Sequence, residues 1–440
     1  MNRFRSRRAA LALASAAALL AAGVFLYSPP LFPPPAWAAP AGAGQAGAAQ
    51  EKKSPGKWRS AADFAKEHWR TPVPPMGEAP ASYKNKERSL LPEDCGSCHP
   101  DQYKQWKTTL HAGAMSPGFY GQTVDMWRDS PGGAQGCNEC HAPLAEQQKK
   151  SLLGRGPLAS WAKNPAYSRK LEMAGLTCAA CHVRAWRVHG PPKPGAKPGR
   201  SDATSSGEHG GVERTPFFER SEFCMGCHQF TFGGPNGKAI QNTYNEWKAS
   251  LWAKEGVQCQ NCHMPKRAHL WRGIHDREMA QGAVTLDVEL DKKAPAGIAA
   301  ARIVIKNTGA GHYFPTYITP SVDVIAWLED KSGRALPGTR VVEVIERKLS
   351  ADFSREIYDK RIPPQKSFVM NYRRGRPASA ARLRVRVRIR PDAFYLGFFT
   401  QTLRAGGQSP KARKLLEEAK RRAENSPYDI FDDKIELDQG

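Results

Sequence analysis

The residues best suited to chemistry in this chain are its ten cysteines, which all fall into five copies of the pattern Cys-x-x-Cys-His. This pattern is the attachment signature of a c-type haem, in which two thiols bind the porphyrin covalently and the adjacent imidazole can ligate the iron. The predicted cofactor-binding cysteines are Cys95, Cys98, Cys137, Cys140, Cys178, Cys181, Cys224, Cys227, Cys259 and Cys262. The predicted proximal ligands are His99, His141, His182, His228 and His263.

Zinc ribbons also use Cys-x-x-Cys pairs, so zinc is the alternative cofactor for one isolated copy. Zinc does not require a histidine directly after every pair, and here no pair lacks one and no cysteine is left over. We therefore predict five covalently bound haem c groups rather than zinc sites or disulfides. The sequence identifies no catalytic residue.

A second histidine, His111, follows His99 by twelve residues. If this segment is helical, a rise of about 1.5 Å per residue separates the two by about 18 Å. Two imidazole nitrogens on opposite sides of one metal ion are only about 4 Å apart, because each metal–nitrogen bond is about 2 Å. A continuous helix therefore predicts that His111 serves a different haem from His99.

The N-terminus has the pattern of an export signal. Four arginines precede an uncharged apolar stretch from Ala9 to Tyr27, and Ala36-Trp37-Ala38 has the small-x-small pattern of a cleavage site. We predict a signal peptide over 1–38; left uncleaved, the same stretch would be a membrane anchor. Residues 39–56 are expected to be a disordered linker, since they contain little apolar surface to pack. The protein is thus predicted to be exported, to the periplasm or the cell surface.

The remaining chain predicts an α + β multidomain fold. Residues 57–282 carry one motif per roughly forty residues, which leaves little room for a protein core, so we expect short helices and loops around haems that form most of the core. Residues 283–404 contain strand-like alternation and are predicted to form an antiparallel β-sandwich. Residues 405–440 are predicted to be a C-terminal helix and tail, with Ser409 as N-cap and Pro410 at the first helical position.

The clearest strand is the segment "ARLRVRVRIR", in which aliphatic residues alternate with five arginines from Arg382 to Arg390. Period-two alternation places the aliphatic side chains on one sheet face and the guanidinium groups on the other. The arginines either pair with acidic residues on neighbouring strands or form a docking patch for an acidic partner or for propionates.

The segment "CGSCHPDQYKQWKTTLHAGAM" resembles a segment of multihaem cytochromes c related to the nitrifier tetrahaem cytochrome and hydroxylamine oxidoreductase. Tyr103, Trp106, His111 and Ala112 match that pattern, whereas Thr109 replaces the usual serine. The segments "SEFCMGCHQF", "TYNEWKASLWAKEGVQCQNCHMP" and "NTGAGHYFPT" are similar to later parts of the same superfamily. The resemblance extends over roughly residues 70–320 and implies several haems arranged so that electrons pass between them. The superfamily contains both electron carriers and enzymes.

Seven histidines remain after the proximal five, enough to cap every iron with two to spare. The resemblance implies that His111 is a distal ligand. We also predict distal roles for His209, His269, His275 and His312, which would make the β domain a ligand donor through His312. His189 and His68 are the less favoured candidates, and Met115 and Met126 are alternative axial ligands.

Three functions are open to such a chain. An electron carrier, which we favour, needs mostly bis-histidine haems; an enzyme acting on a small nitrogen or sulfur oxyanion needs one five-coordinate haem. The third is a subunit of an extracellular haem filament. The formal net charge of +23 favours acidic or membrane-bound, quinol-oxidising redox partners, and we expect no nucleic-acid partner for an exported haem protein.

Overall fold

The computed structural model of the protein describes residues 60–438, apart from 72, 155–157, 196–201, 204–207 and 233–236. The predicted signal peptide and linker therefore lie outside the described residues. Within the described part of the chain, no helix is both long and apolar enough to cross a membrane. The structure mixes helices with several small antiparallel sheets, which confirms the α + β class at that level.

The motif-bearing region is built from short helices. They are α1 (Ala61–His68), α2 (Pro92–Gly96), α3 (Pro100–Trp106), α4 (Pro117–Thr123), α5 (Met126–Asp129), α6 (Pro131–His141), α7 (Arg169–Met173), α8 (Cys178–His182), α9 (Glu222–His228), α10 (Thr243–Lys248), α11 (Leu251–Lys254), α12 (Cys259–His263) and α13 (Arg277–Gly282). Four of them begin with proline, whose fixed φ suits the first helical position. Four of the five motif histidines end a helix, and His99 is the residue just before α3.

Eight short strands lie between these helices. They are β1 (Lys150–Leu153), β2 (Ser160–Lys163), β3 (Val183–Arg184), β4 (Arg187–Gly190), β5 (Asp202–Ala203), β6 (Val212–Arg214), β7 (Phe230–Thr231) and β8 (Ala239–Gln241). The region has little apolar core of its own: one of its buried clusters comprises seven residues, whereas the cluster of the C-terminal sheets comprises twenty-two.

The C-terminal region contains nine strands and two helices. They are β9 (Val284–Leu290), β10 (Ile298–Asn307), β11 (Ser321–Glu329), β12 (Val341–Ile345), β13 (Arg347–Leu349), β14 (Glu356–Asp359), β15 (Ser367–Gly375), β16 (Arg382–Arg390), α14 (Ala393–Ala405), α15 (Pro410–Glu424) and β17 (Tyr428–Glu436). One sheet has the order β15-β10-β9 and a second the order β12-β11-β16-β17, while β13 and β14 form a hairpin pair. The two larger sheets bury their apolar faces in one shared core.

The arginine-rich segment is the inner strand β16 of the four-stranded sheet. Its aliphatic residues are buried, as the alternation predicts. Every one of its arginines lies near a carboxylate: the partners are Glu436 for Arg382, Glu329 and Asp432 for Arg384, Asp429 and Asp432 for Arg386, Asp429 for Arg388, and Asp323 for Arg390. The structure thus favours the cross-strand ion pairs over a free docking patch.

Two elements differ from the sequence prediction. The last part of the segment assigned to the sandwich is not a strand but the helix α14. The tail after α15 is not irregular but forms β17, which pairs with β16. The helix α15 itself is confirmed: the Ser409 side chain accepts a hydrogen bond from the Ala412 backbone N–H, and Pro410 is its first residue.

Helices α14 and α15 connect the two regions by packing on α4. Glycines on α4 allow this close approach, because a Cβ at Gly118 would lie 2.8 Å from the Phe399 ring and one at Gly121 would lie 3.1 Å from Leu416. Larger side chains at these positions would push α4 away from the C-terminal helices. The short helix α5 is the only helix between α4 and α6, which carries the second motif, so the position of α4 matters for the site described next.

Candidate haem-binding sites

Four of the five motif histidines face a second histidine from a distant part of the chain. The ring centroids are 6.5 Å apart for His99 and His209, and 6.3 Å apart for the pairs His228–His111, His182–His269 and His263–His312. His111 thus lies opposite His228 and not opposite His99. The continuous helix from which this was predicted is not present, because α3 ends at Trp106 and turns follow it. His312 comes from the loop after β10, so the sheet region supplies one of these imidazoles.

The spacing of these pairs fits an iron atom between the rings. Metal–imidazole bonds of about 2 Å put the two ligating nitrogens about 4 Å apart, and the ring centres then lie about 6 Å apart. Direct stacking or hydrogen bonding of two imidazoles would bring the rings closer. The similar spacing of four pairs from separate chain segments is therefore compatible with an iron atom held between two histidines in each pair.

Hydrogen bonds at Nδ1 orient most of these rings. The Nδ1 atoms of His141, His182, His263, His269 and His312 lie 2.6–3.0 Å from backbone carbonyl oxygens, to which they can donate. The side-chain amide of Gln241 lies 2.9 Å from Nδ1 of His228. Where Nδ1 donates to a carbonyl oxygen, the hydrogen bond fixes the tautomer and leaves the other ring nitrogen, Nε2, available as a metal ligand. At His228 the same tautomer requires the Gln241 amide to present its oxygen, the acceptor, to Nδ1.

Burial favours the neutral form of six of these imidazoles, the form that ligation requires. Burial lowers the pKa of His111 to about 3 and those of His182 and His228 to about 4, with neighbouring histidines adding to the effect at each ring. The pKa values of His263, His269 and His312 are lowered mainly by burial as well.

His275, which the sequence predicts to be a distal ligand, lies elsewhere. Its Nε2 is 3.1 Å from the Asp392 carboxylate, and it faces no motif histidine. The Nε2 atom of His68 likewise lies 2.9 Å from the Cys181 carbonyl oxygen, to which it can donate a hydrogen bond. His189 is buried with hydrogen bonds at neither ring nitrogen and is not paired with a motif histidine at the haem spacing.

His141 is the one motif histidine without a partner imidazole. All twelve histidines are among the described residues, and none makes a ring contact with His141. Instead, the Phe119 ring stacks on it with centroids 3.7 Å apart and an interplanar angle of 10°. The arrangement holds the His141 ring firmly but supplies no second histidine on the opposite side of the haem position.

The five motifs lie close together in a defined order. Cysteines of different motifs lie close enough to shift each other's pKa: Cys95 and Cys178 bring motifs one and three together, and Cys140 and Cys227 bring motifs two and four together. Motifs four and five interact in the same way through Cys224 and Cys259. Cys181 of the third motif also contributes to the raised pKa of Cys224, which connects motifs three and four. The fourth motif therefore neighbours the second, third and fifth.

Two further features fit porphyrins at these motifs. A cavity of about 400 Å³ is lined by residues of α1, Cys140 and Cys227. Next to the third motif, the Arg184 side chain is half-buried, its buried Nη2 has no hydrogen-bond partner, and desolvation lowers its pKa to about 10. A buried guanidinium without a counter-ion is unfavourable, and a haem propionate is an anion that could pair with it.

Sequence reasoning did not find Phe119, Arg184 or the pairing of particular histidines. The paired histidines are between 49 and 117 residues apart in the sequence. Trp271 contacts two of the distal rings, His111 at 4.9 Å and His269 at 5.1 Å between centroids. No local pattern encodes such contacts. The position of Arg184, two residues after a motif histidine, was the one signal that could have indicated an anion partner.

Comparisons with known proteins point to the same class of cofactor. Residues 94–183 match the family model of cytochrome c554 and c-prime. Cytochrome c-552 of Aliarcobacter butzleri (strain RM4018) is 25% identical over 185 residues, which are 41% of this chain and 36% of that protein. This chain thus matches about a third of the length of that relative.

Among solved structures, a penta-heme cytochrome c552 from Thermochromatium tepidum has a similar fold. The TM-score is 0.56 at 19% sequence identity, over 80% of this chain and 100% of that one. Together with the five motifs, these likenesses support a multihaem c-type cytochrome. The narrower resemblance to relatives of hydroxylamine oxidoreductase stays a prediction.

Proposed function

We propose that the protein is an electron-transfer cytochrome with five covalently attached haem groups, four of them held between two histidines. The observation that carries this proposal is the set of four imidazole pairs at 6.3–6.5 Å. When bound, haem iron supplies reversible one-electron chemistry, and two imidazole ligands leave no position for a substrate.

The protein chain determines which haem-binding motifs are neighbours. It places neighbouring motifs in contact, so that electrons can pass between adjacent haems without leaving the protein. The contact of the fourth motif with three others makes it the branch point of the proposed path. Buried imidazoles oriented by backbone carbonyls keep the ligand geometry fixed between oxidation states.

The same proposal covers location and partners. The N-terminal signal pattern supports export to the periplasm or cell surface, and subtracting its four arginines from the net charge of +23 leaves +19. Such a surface favours association with acidic or membrane-bound redox proteins. Because the arginines of β16 are paired, this charge must act through other surface lysines and arginines.

A second function is favoured by one specific observation. His141 has no partner imidazole, so the haem of the second motif is a candidate for an open coordination position. An enzyme acting on a small nitrogen or sulfur oxyanion would need such a position. The haem-filament alternative has no comparable support, because the histidine pairs form within one chain.

Electron paramagnetic resonance and optical spectra of the oxidised holoprotein, with and without nitrite or hydroxylamine, test both functions. Low-spin ferric signals alone, unchanged by either compound, would support pure electron transfer. A high-spin signal that shifts on addition would favour the enzyme. Fewer than four low-spin haems would contradict the proposed ligand pairs.

A further inference from the structure

A β-hairpin between the second and third motifs exposes apolar side chains at its end. Strands β1 and β2 pair in antiparallel register, with Leu152 opposite Trp161 and Leu153 opposite Ser160. Leu152 and Leu153 are 51% and 53% exposed, and Leu158, two residues before β2, is 89% exposed. Successive residues of a strand point to opposite faces of the sheet, so both faces of the hairpin end are open to solvent.

These three leucines do not stabilise the fold by burial. A single exposed leucine, such as Leu251 on α11, is ordinary on a protein surface. Three of them at the end of one hairpin form an apolar patch, and such patches mark contacts with another protein or with a membrane. The hairpin end is therefore suited to an apolar surface outside this chain.

Basic residues surround this patch. Residues 148–171 contain six lysines and arginines and no aspartate or glutamate. Lys150 and Lys163 lie directly opposite each other across the two strands, and neither has an ion-pair partner among the described residues. Like charges in this arrangement destabilise a strand pair. An anionic surface against the hairpin would relieve a repulsion that is present in the free protein.

The composition of the patch favours a lipid surface over a protein partner. Tryptophan, tyrosine and arginine carry most of the binding energy in protein–protein contacts, whereas leucine is under-represented among such residues and lysine is depleted. Lysines beside apolar side chains are instead typical of segments that bind the interface of an anionic bilayer. There the apolar groups enter the acyl boundary, and the long lysine stems keep their charges at the headgroups. The net charge of +23 adds a long-range attraction to such a surface.

The base of the hairpin is connected to the second motif. The buried Gln148 side-chain amide donates a hydrogen bond of 2.6 Å to the carbonyl oxygen of Ala142, which directly follows His141. Trp161 packs on α6, the helix that carries this motif, where a Cβ at Gly132 would lie 3.5 Å from the indole ring. The hairpin and the second motif would therefore approach a bound surface together.

We infer that the hairpin end, formed by Leu152, Leu153 and Leu158 with Lys150 and Lys163, binds the surface of a membrane that contains anionic phospholipids. The leucines enter the acyl boundary while the lysines interact with the headgroups. The inference goes beyond the proposed electron transfer, because it concerns where the protein docks and not how its irons are ligated. Docking of this kind would turn the second haem position towards membrane-bound redox partners.

Co-sedimentation of the holoprotein with lipid vesicles tests the inference. Vesicles of equal parts phosphatidylglycerol and phosphatidylcholine should bind wild type, and vesicles of phosphatidylcholine alone should bind it much more weakly. Leu158→Ser should weaken binding to the anionic vesicles by about tenfold or more, because a leucine no longer enters the acyl boundary. Lys163→Gln should weaken it by about fivefold, the contribution of one basic residue at an anionic surface.

The matched controls remove one exposed leucine and one exposed lysine elsewhere. They are Leu251→Ser on α11 and Lys306→Gln on β10, and each should leave vesicle binding within about twofold of wild type. Optical spectra of all four variants should equal that of wild type, which excludes loss of a haem site as the cause of weaker binding.

Three outcomes would overturn the inference. The first is no binding of wild type to the anionic vesicles. The second is equal weakening in the hairpin and control variants, which would mean that the overall basic charge binds the lipid. The third is binding to both kinds of vesicle that no variant changes, which would place the attachment in the N-terminal apolar stretch. The histidine pairs and the electron-transfer proposal would stand in each case, because neither depends on the hairpin.

Discussion

Glu246 and Arg361 form an ion pair with an N–O distance of 2.8 Å, and only 3% of each side chain is exposed. Glu246 lies on α10 of the motif-bearing region, and Arg361 follows β14 of the sheet region. The second carboxylate oxygen of Glu246 accepts a hydrogen bond from the Tyr313 backbone N–H, next to His312. The pair therefore joins the two regions at the loop that supplies the imidazole opposite His263.

Breaking this pair should be strongly destabilising. Glu246→Gln leaves the Arg361 guanidinium buried with Asp359 as its remaining partner, and removing one member of a buried pair costs about 3 kcal/mol. Chemical unfolding of the holoprotein measures this loss. Glu424→Gln, which removes an exposed pair with Lys420, should cost less than about 1 kcal/mol. Equal losses in the two variants would contradict the structural role of Glu246.

The histidine pairs predict which substitutions change the spin state of a haem. His312→Ala should convert one low-spin ferric signal to high spin, because it removes the imidazole opposite His263. His275→Ala is the matched control and should leave every low-spin signal in place, since that ring faces Asp392. Electron paramagnetic resonance of the oxidised holoprotein distinguishes these outcomes. A lost low-spin signal in His275→Ala would restore the ligand role that the sequence suggests.

The cofactor class and the attachment residues could be predicted from sequence because they depend on a five-residue pattern. The strand β16 could also be predicted from sequence, because alternation of apolar and charged residues with period two indicates a β-strand. The distal histidines were harder: His111, His209, His269 and His312 were named as candidates, but their partners follow from tertiary contacts that no local spacing encodes.

His275 shows why residue type alone was insufficient. It lies six residues after His269 in the sequence, in a segment that follows the last motif. Only the fold shows that His269 turns towards His182 whereas His275 meets α14 at Asp392. The segment of α14 was included in the β-sandwich, and only the fold shows that Phe399 packs on Gly118 of α4 and on Leu416 of α15.

Trp271 should affect two haem sites at once. Its ring contacts His111 at 4.9 Å and His269 at 5.1 Å, and these imidazoles face the fourth and third motif histidines. Trp271→Ala removes a support common to both rings, so two low-spin signals should change their g values together while the other two stay constant. Trp186→Ala, another tryptophan with a left-handed backbone, is the control and should change neither pair. A change confined to one signal would contradict the bridging position.

The ion pairs of β16 predict how stability depends on pH. Hydrogen bonds from Arg384, followed by those from Arg386, lower the pKa of Asp432 to about 2 from the ordinary value of 3.8. A carboxylate with a lowered pKa in the folded state stabilises the protein above its unfolded pKa, and this contribution is lost as the pH falls through the folded value. The stability advantage of wild type over Asp432→Asn should therefore be constant above pH 5 and decrease between about pH 4 and pH 2.

Thermal unfolding of both holoproteins across this range measures the difference. The control is Asp433→Asn, at a residue that forms no ion pair within the described chain, and it should show no such decrease. An Asp432→Asn difference that does not vary with pH would mean that the arginine face is held by packing rather than by its carboxylates.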